Sequence, residues 1–226
     1  FMIGACLSQG RAQTKSAVSY KNPVVDIAMP DPTVIKAADG YFYVYATEST
    51  RNVPIMKSKD LVEWTYCNTA FTNKTRPRFE PKAGIWAPDI NYINGKYVLY
   101  YAMSVWGGEQ TCGIGVATAN SPQGPFTDHG KMFRSNEIGV QNSIDPSLLQ
   151  YEGRNYLVWG SFRGIYVIEL TADGLSIMSG AKKKRIAGTA FEAVYIHKHG
   201  DYYYMFASIG SCCQGVKSTY KVVVGR

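Results

Sequence analysis

Four segments of the chain repeat one pattern of polar and apolar positions. In each, an acidic residue precedes a short apolar stretch, a turn follows, and an aromatic-rich stretch comes next. The acidic residues are Asp31, Asp89, Asp145 and Glu192. The turns fall at Asp39-Gly40, Asn94-Gly95, Glu152-Gly153 and His199-Gly200. Because Asp-Gly and Asn-Gly between alternating stretches are strong signals for a β-hairpin, each segment is predicted to form an antiparallel hairpin.

The spacing of these segments predicts how the hairpins assemble. A further apolar strand follows most of them, as at Gly113–Thr118 and Gly164–Glu169, and helical periodicity is lacking beyond a turn or two. Multi-stranded repeats of this kind are typical of a β-propeller. A β-sandwich with unrelated hairpins is the alternative, and the repeated order of acid and turn disfavours it. We therefore predict an all-β propeller over residues 21–226, with about four blades that start near residues 31, 89, 145 and 192.

The first 20 residues have a different character and are interpreted as the remnant of an export signal and a linker. Phe1–Leu7 is apolar and then small, as at the end of a signal peptide. Ile3-Gly4-Ala5-Cys6 also resembles a bacterial lipoprotein box, in which Cys6 would be lipidated, whereas the alternative is ordinary cleavage near Ala12. The expected location is periplasmic, extracellular or lipid-anchored at the bacterial surface.

Composition and charge exclude several classes of protein. The 226 residues are 46% hydrophobic and 18% charged, which excludes a disordered tail, a collagen-like fibre and a coiled coil. No apolar run approaches the roughly 20 residues of a membrane-spanning helix. The net charge is +7, but the one dense basic run, Lys182–Arg185, is interpreted as a solvated loop between glycines. Nucleic acid is therefore not an expected partner, and a monomer is expected.

The five cysteines match no zinc-binding spacing. Two of them are adjacent, Cys212 and Cys213. They are either free thiols on opposite faces of a strand or a vicinal disulfide formed in an oxidising compartment, and the sequence does not choose between these states.

The repeated acids predict the chemistry. The first strand of each blade lines the central channel of a propeller, so the four acids are expected to cluster near one mouth of the channel. Clustered carboxylates raise one another's pKa, which suits either a cation or acid–base catalysis. Hydrolysis of a glycosidic bond needs two carboxyl groups with separate roles. Glu192 has the longest arm of the series and is the candidate acid, although any single acid can instead cap a turn or strand.

Two tryptophans suggest a sugar ligand. Trp86 lies shortly before Asp89, and Trp106 follows the second hairpin. Flat aromatic rings stack on the apolar faces of sugars, while the alternative for either ring is packing in the core.

Several motifs together resemble glycoside hydrolase family 43. They are Met29-Pro30-Asp31-Pro32, Trp86-Ala87-Pro88-Asp89, Asn142-Ser143-Ile144-Asp145-Pro146, Phe191-Glu192, and Ser211-Cys212-Cys213 leading to Ser218-Thr219-Tyr220. Members of that family are five-bladed propellers that cut polysaccharides containing arabinose or xylose. The details are most similar to arabinan endo-1,5-α-L-arabinosidases, and the resemblance extends from about Asn22 to the C-terminus.

The resemblance implies roles for individual residues. Asp31 would be the general base, Glu192 the general acid, and Asp145 the residue that orients the acid and tunes its pKa. The substrate-binding residues would be Trp86, Asp89, Trp106, Asn142 and Ser161. The reaction would invert the anomeric centre, with the Asp31 and Glu192 carboxyl groups about 6.5–9.5 Å apart so that a water fits between them.

The resemblance also carries alternatives. The same family includes exo-acting arabinofuranosidases and β-xylosidases, and a different class would be a carbohydrate-binding propeller without catalysis. The chemistry requires no cofactor, and the expected partner is arabinan or its oligosaccharides.

One feature of the family is missing from the sequence. Its fifth blade would follow Arg226 and supplies a histidine beside a bound ion, a role that His129, His197 and His199 do not fit. No metal site is therefore expected in this chain, and a structural calcium is implied only for a complete propeller.

Overall fold

The computed structural model describes residues 19–226, so the predicted signal remnant, with Cys6 and Ala12, lies almost wholly outside the described residues. The described residues form four antiparallel sheets in chain order. This arrangement is a β-propeller of four blades, and it confirms the predicted fold class. No helix of the described part is long and apolar enough to cross a membrane.

The first two blades each contain four strands, with neighbours in sequence paired in space. The first blade consists of β1 (Thr33–Lys36), β2 (Phe42–Tyr45), β3 (Pro54–Ser58) and β4 (Thr65–Thr69). The second consists of β5 (Gly84–Ile93), β6 (Lys96–Ser104), β7 (Gly113–Ala119) and β8 (Thr127–Arg134). The second inner strand therefore begins earlier than predicted, before Asp89.

The third blade has four strands and the fourth has three. A short helix α1 (Ser135–Ile138) leads into the third blade, which consists of β9 (Ser147–Tyr151), β10 (Arg154–Trp159), β11 (Ile165–Glu169) and β12 (Lys184–Ala187). The fourth consists of β13 (Glu192–His199), β14 (Tyr202–Ile209) and β15 (Lys221–Gly225), with a 3-10 turn at Gly215–Lys217. The basic run was predicted as a loop, but Lys184 and Arg185 lie in exposed positions of β12.

The four predicted hairpins are present, and the turns at Asn94-Gly95 and Glu152-Gly153 have the predicted backbone. The fourth turn falls one residue later than predicted, at Gly200-Asp201, because His199 pairs with Tyr202. Asn94 and Gly95 both have positive φ, at 48° and 80°. Two consecutive residues of positive φ make the type of tight turn whose twist matches that of the flanking strands. Each hairpin thus returns the chain to the end of the propeller from which its inner strand started.

The core consists of side chains packed between neighbouring blades. Alternate residues of a strand point to opposite faces of its sheet, and β6 is buried on both faces. Tyr101 packs towards the first blade, while Tyr100 packs with Trp159 towards the third. A smaller cluster with Val158 and Val194 joins the third and fourth blades. The blades therefore stack face to face and hold their inner strands in fixed positions.

A buried ion pair ties the first blade to the second. Arg76 contacts Glu48 at 2.5 Å, and both side chains are over nine-tenths buried. Glu48 also accepts hydrogen bonds from the backbone N–H groups of Asn52 and Ile85. Burial alone would raise the pKa of Glu48, but hydrogen bonds from Arg76 and these amides outweigh burial and hold it below its usual value. The pair therefore contributes stability at neutral pH, which is lost as the pH falls through the lowered pKa.

Removing one partner of this pair is expected to destabilise the fold. Arg76→Met leaves the Glu48 carboxylate buried without its counter-charge, so the free energy of unfolding should fall by about 3 kcal/mol. Urea unfolding at neutral pH measures this change. Lys131→Met, which breaks the exposed Lys131–Glu137 pair, is the matched control and should cost under about 1 kcal/mol. Equal costs for the two variants would contradict the assignment.

Candidate active site

The entrance to each inner strand has the same unusual backbone. Asp31, Ala87, Asp145 and Ala193 have φ values of 50°, 42°, 57° and 52°. A non-glycine residue with positive φ is uncommon, and four in equivalent positions indicate a repeated bend at one mouth of the channel. Asp31 and Asp145 occupy the bend in the first and third blades. Ala87 and Ala193 occupy it in the second and fourth blades, and Glu192 directly precedes Ala193.

Asp89 lies deeper than predicted. Its carboxylate accepts hydrogen bonds from the Leu148 N–H at 2.8 Å and the Asn91 side chain at 2.7 Å, with Thr33 Oγ1 at 3.5 Å. Thr33 and Leu148 lie further along the inner strands of the neighbouring blades than Asp31 and Asp145 do. Asp89, which contacts both, therefore lies below the mouth, and the prediction that all four acids cluster at the mouth is wrong for Asp89. Burial raises the pKa of Asp89 to about 6, although its three donors oppose the shift. Asp89 thus links three blades through hydrogen bonds. Its role in substrate binding stays a prediction.

Asp31 lies exposed at the mouth. Its Oδ2 accepts a hydrogen bond of 2.5 Å from the Thr47 hydroxyl. Thr47 belongs to the loop after β2. An exposed carboxylate that keeps one oxygen tied to the protein can contact solvent with the other, as a base that activates water must.

Glu192 is buried and held at both oxygens. Its Oε2 accepts a hydrogen bond of 2.6 Å from Ser161, and its Oε1 accepts one of 2.6 Å from the Tyr220 hydroxyl. Asn142 donates from Nδ2 to Ser161 Oγ at 2.9 Å. Asn142 and Ser161 were predicted to bind substrate, and the structure brings both beside the predicted acid. Their role towards substrate stays a prediction.

The pKa of Asp145 is affected by both of the other carboxyl groups. Burial, followed by the negative charges of Glu192 and Asp31, raises the pKa of Asp145 well above its usual value, and a hydrogen bond from the Ala193 N–H opposes the rise. Asp145 therefore holds its proton to higher pH than an isolated carboxylic acid does.

The cluster of Asp31, Asp145 and Glu192 differs from a metal site. Within residues 19–226, no group of three or more His, Cys, Asp and Glu side chains is arranged to hold a metal ion. The exposed Asp31 and the buried Glu192, beside Asp145 with its raised pKa, are an arrangement that suits acid–base chemistry.

The two predicted tryptophans lie together beside the mouth. The ring centroids of Trp86 and Trp106 are 5.7 Å apart in an edge-to-face arrangement. Trp86 directly precedes Ala87 and packs partly against a small buried cluster. Trp106 is 79% exposed, so packing in the core does not account for it. An exposed ring supported by a second ring offers a flat apolar surface next to the acids.

A polar depression of about 450 Å³ lies elsewhere on the surface. Its polar lining residues are Gln110, Ser135, Asn136, Gln141, Arg163, Tyr166 and Thr189. None of the predicted site residues lines it.

A model of one protein family matches nearly all of the described chain. That model is described as "Glycosyl hydrolases family 43", and it matches residues 20–226. The chain belongs to glycosyl hydrolase family 43. The resemblance read from its motifs is therefore confirmed.

Individual members of the family resemble the chain over most of its length. The extracellular endo-alpha-(1->5)-L-arabinanase 1 of Bacillus subtilis is 37% identical over 209 residues, which cover 87% of this chain and 64% of the relative. The extracellular exo-alpha-(1->5)-L-arabinofuranosidase ArbA of Cellvibrio japonicus is 34% identical over 224 residues, which cover 87% of this chain and 63% of the relative. The structure of a Cellvibrio cellulosa alpha-L-arabinanase complexed with arabinohexaose has a TM-score of 0.78 at 30% identity, and covers 88% of this chain and 70% of that chain.

The chain thus spans less than two thirds of the length of these two curated relatives. One of the two is named as endo-acting and the other as exo-acting, so the comparison leaves the cleavage pattern open.

Sequence reasoning assigned no role to two residues of the site. Tyr220 stands in a motif that carried the family resemblance, but nothing in the sequence tied it to Glu192. The contact of Thr47 with Asp31 could have been predicted from the register of the first hairpin, in which Thr33 pairs with Tyr45. Extending that register by two residues on each strand places Thr47 opposite Asp31.

The loop that delivers Tyr220 contains the adjacent cysteines. Cys212 and Cys213 are bonded to each other, so the vicinal disulfide is the state that the structure has. The loop is closed by a hydrogen bond of 3.0 Å from the Thr219 N–H to the Ser211 carbonyl. In the described chain, Cys67 and Cys112 are free thiols.

Proposed function

We propose that this protein hydrolyses α-1,5-linked L-arabinofuranosyl bonds of arabinan with inversion of the anomeric centre. The observation that carries the proposal is the position of Glu192, which is buried, held at both oxygens and electrostatically coupled to Asp145 beside an exposed Asp31. Glycoside hydrolysis requires one carboxyl group that gives a proton and a second that is ionised, and we assign these roles to Glu192 and Asp31.

The proposed reaction assigns one proton transfer to each of two residues. Asp31 takes a proton from a water whose oxygen attacks the anomeric carbon. The bond from that carbon to the leaving oxygen breaks, and Glu192 gives its proton to the leaving oxygen. Asp145 orients Glu192, and burial together with repulsion from Glu192 and Asp31 raises the pKa of Asp145 itself. A carboxyl separation of about 6.5–9.5 Å between Asp31 and Glu192 stays a prediction of this mechanism.

The substrate assignment is supported by the surface and by the relatives. The exposed Trp106 ring, backed by Trp86, suits the apolar face of a sugar. The names of two relatives specify α-1,5-linked arabinofuranosyl substrates, and a related structure holds arabinohexaose. Acid–base catalysis by these carboxyl groups calls for no cofactor. We also propose export, because both relatives are named as extracellular and a disulfide suits an oxidising compartment.

Sugar release from linear debranched arabinan, with the products separated by size, tests the proposal. Short oligosaccharides would support endo cleavage, and arabinose alone would support the exo alternative. Release only from xylo-oligosaccharides would move the assignment to a β-xylosidase. Binding of arabinan without release by the parent protein would favour a non-catalytic carbohydrate-binding propeller and overturn the proposed hydrolysis.

Loss of the Tyr220 hydroxyl is expected to weaken turnover without abolishing it. Tyr220→Phe removes one of the two hydroxyl donors to Glu192, so kcat/KM on arabinan should fall about tenfold, as expected for one hydrogen bond to a charged group. Initial rates on debranched arabinan measure the effect.

Tyr202→Phe is the control for this variant, because it removes an exposed hydroxyl from the same blade. It should leave kcat/KM as in the parent. A Tyr220→Phe protein with the kcat/KM of the parent would show that the hydroxyl does not act on the acid.

A further inference from the structure

Thr47 makes three hydrogen bonds at the mouth, two of them to the segment that carries Asp31. Its N–H donates to the Pro30 carbonyl at 2.9 Å. Its hydroxyl donates to Asp31 Oδ2 at 2.5 Å and accepts from the Ala87 N–H at 2.7 Å. One threonine thus connects the predicted base to the equivalent position of the next blade.

The direction of these bonds is fixed by the chemistry of a hydroxyl group. A hydroxyl has one proton to donate. The Ala87 N–H can only donate, so it occupies a lone pair of Thr47 Oγ1 and leaves the single proton of Thr47 for Asp31. A short hydroxyl-to-carboxylate bond of this kind is among the stronger hydrogen bonds in proteins, and it favours the ionised form of the carboxyl group that accepts it.

The position of Thr47 is fixed by its neighbour in sequence. Glu48 is anchored by Arg76 and accepts the Ile85 N–H at 2.9 Å, while the Glu48 N–H donates to the Ile85 carbonyl at 3.1 Å. These contacts attach the loop after β2 to the beginning of β5. The Thr47 hydroxyl is therefore placed by buried structure before any substrate binds.

We infer that Thr47 is a positioning residue for the general base, and that it holds Asp31 Oδ2 so that Oδ1 faces the attacking water. The inference rests on the proposed function, in which Asp31 is that base. In this scheme Thr47 contacts neither the attacking water nor the sugar. Its hydroxyl proton stays on its own oxygen throughout. Its contribution is the orientation of Asp31.

The test compares Thr47→Val, which keeps the shape and removes the hydroxyl, with Thr47→Ser, which keeps the hydroxyl. On debranched arabinan, Thr47→Val should lower kcat about 10- to 100-fold, the range expected for a hydrogen bond to a charged group. KM should change less than about twofold, because Thr47 does not contact the sugar in this scheme and its loss leaves the binding of the substrate in the ground state unchanged. Thr47→Ser should restore kcat.

Thr69→Val is the control, since it removes a hydroxyl from the outer strand of the same blade. It should leave kcat unchanged. An unchanged kcat in Thr47→Val, or equal defects in the Val and Ser variants together with a lower melting temperature, would overturn the inference.

A measurement without turnover separates this inference from the proposed function. The ¹³C carboxyl resonance of Asp31, identified by its absence in Asp31→Asn, can be compared among the variants at one pH. Its chemical shift should differ from that of the parent in Thr47→Val, which lacks the hydrogen bond, and return in Thr47→Ser. If the parent hydrolyses no glycan, the proposed function fails while this comparison still decides whether Thr47 acts on Asp31. An unchanged chemical shift in Thr47→Val would overturn the inference whatever the activity.

Discussion

Glu192→Gln is expected to lower kcat on arabinan by about 10²- to 10⁴-fold, the usual contribution of a positioned general acid. Glutamine has nearly the same shape, and its amide oxygen can accept a hydrogen bond from one of the two hydroxyl groups, Ser161 or Tyr220, while its NH2 group can donate to the other. It has no acidic proton to give to the leaving oxygen. Affinity for arabino-oligosaccharides, measured by calorimetry on the variant, should stay close to that of the parent. Loss of turnover with retained binding is the signature of an interaction made in the transition state.

The leaving group offers a sharper version of this test. An aryl arabinofuranoside with an activated leaving group needs little protonation, so Glu192→Gln should lose far less activity on it than on arabinan. Glu137→Gln is the matched control, because Glu137 lies exposed on α1 and pairs with Lys131. Similar losses on both substrates would assign the role of acid to another residue.

The fold followed from local signals. Each hairpin was encoded by two strands and a turn that are adjacent in the chain, and residues such as Asn94 and Gly95 have the positive φ that such turns require. Repetition then predicted the propeller. Long-range information was needed only to order the blades, and blades in a propeller follow chain order.

Asp89 shows where motif reasoning failed. The sequence pattern aligned one acid per repeat, whereas the structure aligns one left-handed bend per repeat. In the second blade that bend falls at Ala87, and the pairing of β5 with β6 shifts register between Trp86 and Asp89. Asp89 therefore lies deeper in the channel, where its carboxylate accepts hydrogen bonds from Leu148 and Thr33 of the neighbouring blades. A count of acids along the chain contains no information about such a shift.

The partners of the acids were missed for a different reason. Tyr220 reaches Glu192 from 28 residues away in sequence, and Thr47 meets Ala87 from 40 residues away. These contacts join neighbouring strands or different blades, so they depend on how the sheets pack. The residue types that catalysis requires were visible in the sequence, whereas the groups that orient them became visible only in the fold.

Asp31→Asn is expected to reduce kcat on arabinan by about 10²- to 10⁴-fold, because the amide cannot take a proton from the attacking water. Asp31 is exposed, so this variant should unfold at nearly the same urea concentration as the parent. Initial rates and urea unfolding of the same preparation measure the two effects. A large fall in stability would mean that the lost activity reports on folding instead of on catalysis.

External azide distinguishes a base from an acid at this site. Asp31→Ala leaves room for a small anion where the water would stand, and azide needs no base to activate it. Azide should therefore attack the anomeric carbon while Glu192 still protonates the leaving oxygen, which gives a glycosyl azide of inverted configuration. The same anion should not restore Glu192→Gln on arabinan, because that variant lacks protonation of the leaving oxygen. Rescue of Glu192→Gln alone, or a product of retained configuration, would contradict the roles assigned to Asp31 and Glu192.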